Sequence, residues 1–153
     1  MKSYRVGILG ATGMVGQRFI TLLAHHPWFS IRALGASSKS SGMSYYDAVK
    51  GRWLMETPLP ENVQNMVVFD LEADAEKIAD QVDFVFCAVN MEKVATQALE
   101  EKYAKLERPV ISNNSAHRWT EDVPMIIPEI NAEHITIINS QRKRLGTKRG
   151  FIA

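Results

Sequence analysis

Three glycines recur at fixed spacing early in the chain, in the run Gly10-Ala11-Thr12-Gly13-Met14-Val15-Gly16. An apolar stretch (Val6, Ile8, Leu9) precedes them, and a helical spacing of Val15, Phe19, Leu22 and Leu23 follows. Strand, tight turn and helix in that order make a place where backbone can hold a phosphate. Gly10 lets the chain leave the strand with dihedrals a side chain would forbid. Gly13 has no Cβ where a pyrophosphate would approach, and Gly16 lets helix and strand pack closely. Thr12 adds a hydroxyl donor. The N–H groups of the first helical turn, at Met14 and Val15, then point with the helix dipole at the anion. The spacing is G-x-x-G-x-x-G, not the commoner G-x-G-x-x-G. Its position between a strand and a helix makes it a nucleotide-binding signal rather than a structural turn.

A second group of polar residues follows the next apolar run. Ser30 to Leu34 reads as a strand, and the loop after it is Gly35-Ala36-Ser37-Ser38-Lys39-Ser40-Ser41-Gly42. A sheet that binds NAD usually ends this strand in Asp or Glu, which accepts bonds from the ribose 2′-hydroxyl. No acid occurs between Ser30 and Asp47. Ser37, Ser38 and Lys39 offer hydroxyls, backbone N–H groups and a positive charge instead. That setting suits a 2′-phosphate, which a carboxylate would repel. NADP is the expected cofactor.

Cys87 is the one cysteine, inside Phe84-Val85-Phe86-Cys87-Ala88-Val89. A thiol in apolar surroundings has a raised pKa and stays inert, so it reads as a core residue. Ala88, Val89 and Asn90, at the strand's carboxyl end, are expected to border the cofactor crevice. A further polar loop, Asn113-Asn114-Ser115-Ala116-His117-Arg118, follows a fifth apolar run. Arg118 there can face the same crevice, and its planar fork suits a phosphate or carboxylate. His117 reads as structural. Glu129, between Pro128 and Asn131, is either a loop carboxylate or an active-site one, and spacing does not decide. The basic run from Arg142 to Arg149 belongs to no RNA- or DNA-binding motif, and with a net charge of +1 no nucleic-acid partner is expected. No metal site is expected.

These residues must be placed by a regular scaffold. Short apolar runs alternate with longer amphipathic ones, which points to α/β architecture: a Rossmann-type doubly wound, mostly parallel sheet with helices on both faces. The expected strands are Tyr4 to Leu9, Ser30 to Leu34, Met66 to Phe69, Asp83 to Val89 and Pro109 to Ser112. Helices are expected over Gly13 to His25, Asp70 to Gln81 (Ala75, Ile78, Ala79 inward) and Met91 to Leu106 (Val94, Ala95, Ala98, Leu99, Tyr103 inward). Met43 to Pro60 reads as an irregular insertion covering a sheet edge. Val123 to Ile127 and Ile135 to Asn139 are candidate further strands, and Gly150 to Ala153 reads as the opening of another, so a longer parent chain is expected. The 153 residues, 46% hydrophobic and 23% charged, suffice for one domain with a sizeable core. No apolar run approaches the ~20 residues of a membrane span. No signal segment precedes the first strand, and one cysteine fits a reducing compartment, so a cytoplasmic location is expected.

Taken together, these motifs resemble the N-terminal domain of the aspartate-semialdehyde dehydrogenase family, over the whole chain. Gly10 to Gly16 matches its opening turn, and Gly35 to Ser40 its 2′-phosphate loop. The sequel to Lys50 resembles the branch found in fungi and archaea. Ser112 to Arg118 resembles the segment whose arginine binds the substrate phosphate. Val123-Pro124 and Pro128-Glu129-Ile130-Asn131 match a proline-bounded stretch. The resemblance implies NADPH-dependent reduction of aspartyl 4-phosphate to aspartate semialdehyde, a step toward lysine, threonine and methionine. It implies cofactor contacts from Gly10, Thr12, Gly13, Met14, Val15, Ser37, Ser38, Lys39, Ala88 and Asn90, and substrate-phosphate contacts from Asn113 and Arg118. The family's cysteine nucleophile follows the strand that Gly150 to Ala153 opens, and its catalytic histidine lies in a second domain. Neither falls in this sequence, so the chain alone is expected to be inactive, as the NADP-binding domain of a homodimer or homotetramer. Its partners would be small molecules, with no membrane. N-acetylglutamyl-phosphate reductase and malonyl-CoA reductase share the scaffold. A non-catalytic NADP-binding fragment and a ligand-free structural domain are the alternatives outside enzymology.

Overall fold

The computed structural model describes residues 3–153. The first half of the chain runs β1 (Tyr4–Leu9), α1 (Met14–Leu23), β2 (Phe29–Ala36), α2 (Tyr45–Val49), α3 (Glu61–Gln64) and β3 (Val68–Asp70). The second half runs α4 (Ala75–Gln81), β4 (Phe84–Cys87), α5 (Lys93–Lys105), β5 (Val110–Ser112), α6 (Pro128–Asn131) and α7 (Ile138–Leu145). The five strands form one parallel sheet in the order β3-β2-β1-β4-β5.

Side chains alternate across the sheet, and each face has its own core. On one face Val6, Ile8 and Leu34 pack against Ile20 and Leu23 of α1 and Tyr45 and Val49 of α2. Phe86 joins that face, its ring stacked on Phe19 at 4.9 Å. On the other face Leu9, Val85, Cys87 and Val110 pack against Ile78 of α4 and Leu99 and Tyr103 of α5. This is the doubly wound arrangement that the alternating pattern requires.

Register brings the strand ends level. Leu9 lies beside Gly35 and Cys87, Ala36 beside Asp70, and Cys87 beside Ser112. The chain leaves β1 toward β2 and β3 on one side, then returns to β4 and β5 on the other. The residues that follow β1 and β4 therefore open a crevice at this switch point.

The insertion after β2 does cover the sheet edge. Ser44 makes an antiparallel bridge to Val67, and Tyr45, fully buried, donates its hydroxyl to the carbonyl of Ala11 at 2.7 Å. Burial of that phenol pushes its pKa up.

Three expectations need correction. Residues 123–127 form no strand. Ile135 to Asn139 is not a strand either: a 3₁₀ turn over Ala132–Ile137 runs into α7. The β-branched residues there favour a strand locally, but the edge beside β5 is taken by residues 151–153. Ile152 pairs with Val110, and Val110 N–H donates to the Phe151 carbonyl at 2.7 Å. The third correction is the inner face of α5. Val94 is 67% exposed and Ala98 is exposed, while Thr96, Leu99, Glu100, Tyr103 and Ala104 are buried. Two polar residues on the buried stripe concealed its register.

Candidate functional site

A crevice of about 370 Å³ opens at the switch point. Its walls are the residues that follow four strands: Gly10, Thr12 and Gly13 after β1, Ser37 and Ser38 after β2, Leu71 and Glu72 after β3, and Ala88, Val89, Asn90 and Met91 after β4, with Ala36 and Asp70 at strand ends. Gly10 has φ +82°, and a Cβ there would lie 2.5 Å from the Ala88 carbonyl oxygen. A Cβ at Gly16 would collide with the Gly10 carbonyl. Both glycines are demanded by the protein's own backbone. Gly13 is different. A Cβ there would meet nothing closer than the Gly10 carbonyl oxygen at 3.6 Å, an ordinary contact. The protein leaves the space over Gly13 open.

Gly13 is the N-cap of α1, and it supplies no side-chain cap; the first turn holds no acidic residue. The first-turn N–H groups therefore lack intrahelical partners at the edge of the crevice. An anionic group fits there. Gln17 and Tyr45 stiffen the turn from behind. Gln17 donates to the carbonyls of Thr12 (3.0 Å) and Arg52 (2.9 Å), and accepts from Leu54 N–H (2.8 Å).

Ser37, Ser38 and Lys39 are exposed, and Ser38–Ser40 forms one 3₁₀ turn. Ser37 and Ser38 face the crevice, and Lys39 stands next to them outside its lining. Met14 and Val15 line a separate depression with Arg18, Leu54 and Met55, while their N–H groups belong to the uncapped first turn of α1. Asp70, Leu71 and Glu72 escaped sequence reasoning, because their place in the crevice follows from β3 pairing with β2. Asp70 is already engaged: its Oδ1 accepts the N–H groups of Glu72 and Ala73.

A second pocket, of about 590 Å³, lies beyond β5. Asn113, Asn114, His117 and Arg118 line it together with Val123, Pro124, Phe151 and Ala153. Arg118 is exposed, so its guanidinium is available to an anion. Asn113 is exposed, and its N–H donates to the Cys87 carbonyl at 2.9 Å, which ties this loop to the end of β4. Glu129 is exposed on α6 outside the pocket lining. In the basic run, Arg144 is held by Asp122 through two bonds (2.6 and 2.8 Å), and Arg142 lies over the Phe151 ring.

Cys87 is fully buried, and burial pushes its thiol pKa up, helped by the nearby Glu100 carboxylate. Both effects disfavour its thiolate. Among the described residues no cluster of His, Cys, Asp and Glu could hold a metal ion, and no helix is long and apolar enough to cross a membrane.

The family model for the semialdehyde dehydrogenase NAD-binding domain matches residues 5–138. The chain belongs to that family. It is 43% identical to an aspartate-semialdehyde dehydrogenase of Aspergillus fumigatus, over 99% of this chain and 41% of the relative. With the Archaeoglobus fulgidus enzyme of the same name identity is 40%, over 97% of this chain and 41% of the relative. The chain thus spans about two fifths of the curated relatives it matches. A solved structure of aspartate semialdehyde dehydrogenase with NADP from Candida albicans superposes with a TM-score of 0.83 at 37% identity, covering 99% of this chain and 42% of that one.

Proposed function

We propose that this chain is the NADP-binding part of an aspartate-semialdehyde dehydrogenase, which reduces aspartyl 4-phosphate with NADPH and releases phosphate. The observation that carries the cofactor choice is the turn after β2, where Ser37 and Ser38 face the crevice beside Lys39 and no carboxylate follows the strand. In this reading the open face of Gly13 and the uncapped start of α1 take the pyrophosphate, and Ser37, Ser38 and Lys39 take the 2′-phosphate. Bound NADPH would supply a hydride to the acyl carbon. Arg118 and Asn113 would hold the phosphate of the substrate, the arginine through a charge-assisted fork. Cys87 takes no part, because a buried thiol without thiolate character is no nucleophile. The nucleophile must come from outside these residues, and the 153-residue chain by itself is inactive. The full-length enzyme would be a cytoplasmic homo-oligomer.

Support comes from the fungal and archaeal relatives and from the NADP carried by the Candida albicans structure. Calorimetric titration of the chain with NADP and with NAD tests the cofactor assignment. NADP is expected to bind at least tenfold more tightly, and equal affinity overturns it.

A further inference from the structure

Beneath the loop that carries Asn113 and Arg118 lies a buried carboxylate with no obvious reason to be there. Glu100 on α5 is fully buried. Its Oε1 accepts from the Ser112 hydroxyl and from Asn114 Nδ2 (3.2 Å). The Ser112 hydroxyl in turn accepts from Asn114 N–H at 3.0 Å. One turn earlier on α5, Gln97 donates to the Ala116 carbonyl at 2.7 Å. Glu100 Oε2 lies 3.8 Å from His117 Nε2, and both atoms lack a hydrogen-bond partner. The other ring nitrogen of His117 meets Thr120 Oγ1 at 3.1 Å. One face of α5 thus grips the loop on both sides of its exposed residues. Asn113 sits between Ser112 and Asn114, and Arg118 directly follows His117.

A buried carboxylate is costly, and an apolar residue of similar volume is often neutral or better for stability. What such a group does provide is a fixed geometry for the donors that surround it. We infer that Glu100 is a positioning residue, setting from below the grip of Arg118 and Asn113 on the substrate phosphate. This inference rests on the anion-binding role proposed for that pocket.

The test uses the complete enzyme in the phosphate-consuming direction, with inorganic phosphate as the varied substrate. Glu100→Leu removes the acceptor and leaves Ser112 and Asn114 without it. The KM for phosphate is expected to rise about tenfold. NADP affinity should stay within twofold, since the crevice shares no lining residue with this pocket. Glu100→Gln keeps a carbonyl acceptor and should restore phosphate KM to within threefold of wild type, a rescue that mere loss of stability would not produce. Should Glu100→Leu fail to fold, Asn114→Ala removes one donor to the carboxylate and is expected to raise phosphate KM in the same way. Combining the Glu100 or Asn114 change with Arg118→Ala should weaken phosphate by less than the two single effects together, because part of the effect passes through the arginine. An unchanged phosphate KM in both the Glu100 and Asn114 variants, with a raised KM in Arg118→Ala, overturns the inference and leaves the anion pocket standing. An unchanged KM in Arg118→Ala overturns the pocket's role and the inference together. Fully additive effects in the double variant also overturn the inference.

Discussion

The two pockets are built by opposite means. The crevice around Gly13 is made of backbone: strand ends brought level by sheet register, two glycines that no other residue can replace, and helix N–H groups. The pocket around Arg118 is made of side chains, perched on a cluster in which the buried Glu100 bonds Ser112 and Asn114 and lies 3.8 Å from His117. A backbone site is as rigid as the sheet that forms it, and it is lost outright when the turn itself is disturbed. A side-chain site can be retuned residue by residue. The first kind suits a cofactor portion common to many enzymes, and the second suits recognition of a particular substrate.

Breaking the backbone site should have the largest effect. Gly10→Ala places a Cβ against the Ala88 carbonyl at a positive φ, and should destabilise the fold by about 2–4 kcal/mol in urea titration while abolishing NADP binding. Arg118→Ala should act on the other pocket alone. Losing a charge-assisted contact of about 1.5–3 kcal/mol raises the KM for phosphate roughly ten- to hundredfold, with unchanged NADP affinity and melting temperature. A KM within twofold of wild type makes Arg118 a surface residue.

Ser38→Asp sharpens the contrast within the crevice. Repulsion of a 2′-phosphate should weaken NADP about tenfold and leave NAD nearly untouched, as calorimetry with both cofactors would show. Cys87→Ser should cost about 1–2 kcal/mol of stability from the buried hydroxyl and leave the full-length enzyme with most of its activity. Abolished activity with the fold intact would make the cysteine catalytic after all.

The smallest effect concerns the segment beside β5. The Glu107 carboxylate accepts the N–H groups of Lys148, Arg149 and Gly150, which holds its pKa below the ordinary range. A depressed carboxylate stabilises the fold above its unfolded pKa and loses that contribution as pH falls through the folded one. Glu107→Gln should therefore lower stability near neutrality and flatten the acid side of the stability–pH curve below about pH 4.3, so that variant and wild type converge in acid. An unchanged acid limb would show that these bonds carry no net stability.

The five strands were legible in sequence because each is a short apolar run ended by glycine, proline or a polar residue. The glycine turn was legible because backbone sterics permit so few alternatives at Gly10 and Gly16. The inertness of Cys87 followed from its apolar neighbours. Local pattern failed wherever a polar residue is buried. Thr96, Glu100, Gln17 and Gln141 look like surface residues, yet Thr96 bonds back to the Glu92 carbonyl at the start of α5 and the other three satisfy backbone or loop groups far along the chain. Gln141 shows why Ile135 to Asn139 could not be read correctly. Its side-chain amide bonds both the N–H and the carbonyl of Ile152, at 2.6 and 2.8 Å, and so needs a helix at that place beside the last strand.

The sequence by itself determined the alternation of strands and helices, the missing Cβ at Gly13 and the absence of an acid after β2. Each depends on residues adjacent in the chain, where dihedral freedom and hydrophobic period act directly. Only the tertiary structure decided that Asp70 to Glu72 share a crevice with Gly10 and that Glu100 lies under the Arg118 loop. Those placements depend on strand order and on which side chain meets which across the sheet, and long-range pairing of that kind leaves no periodic mark on the residues it joins.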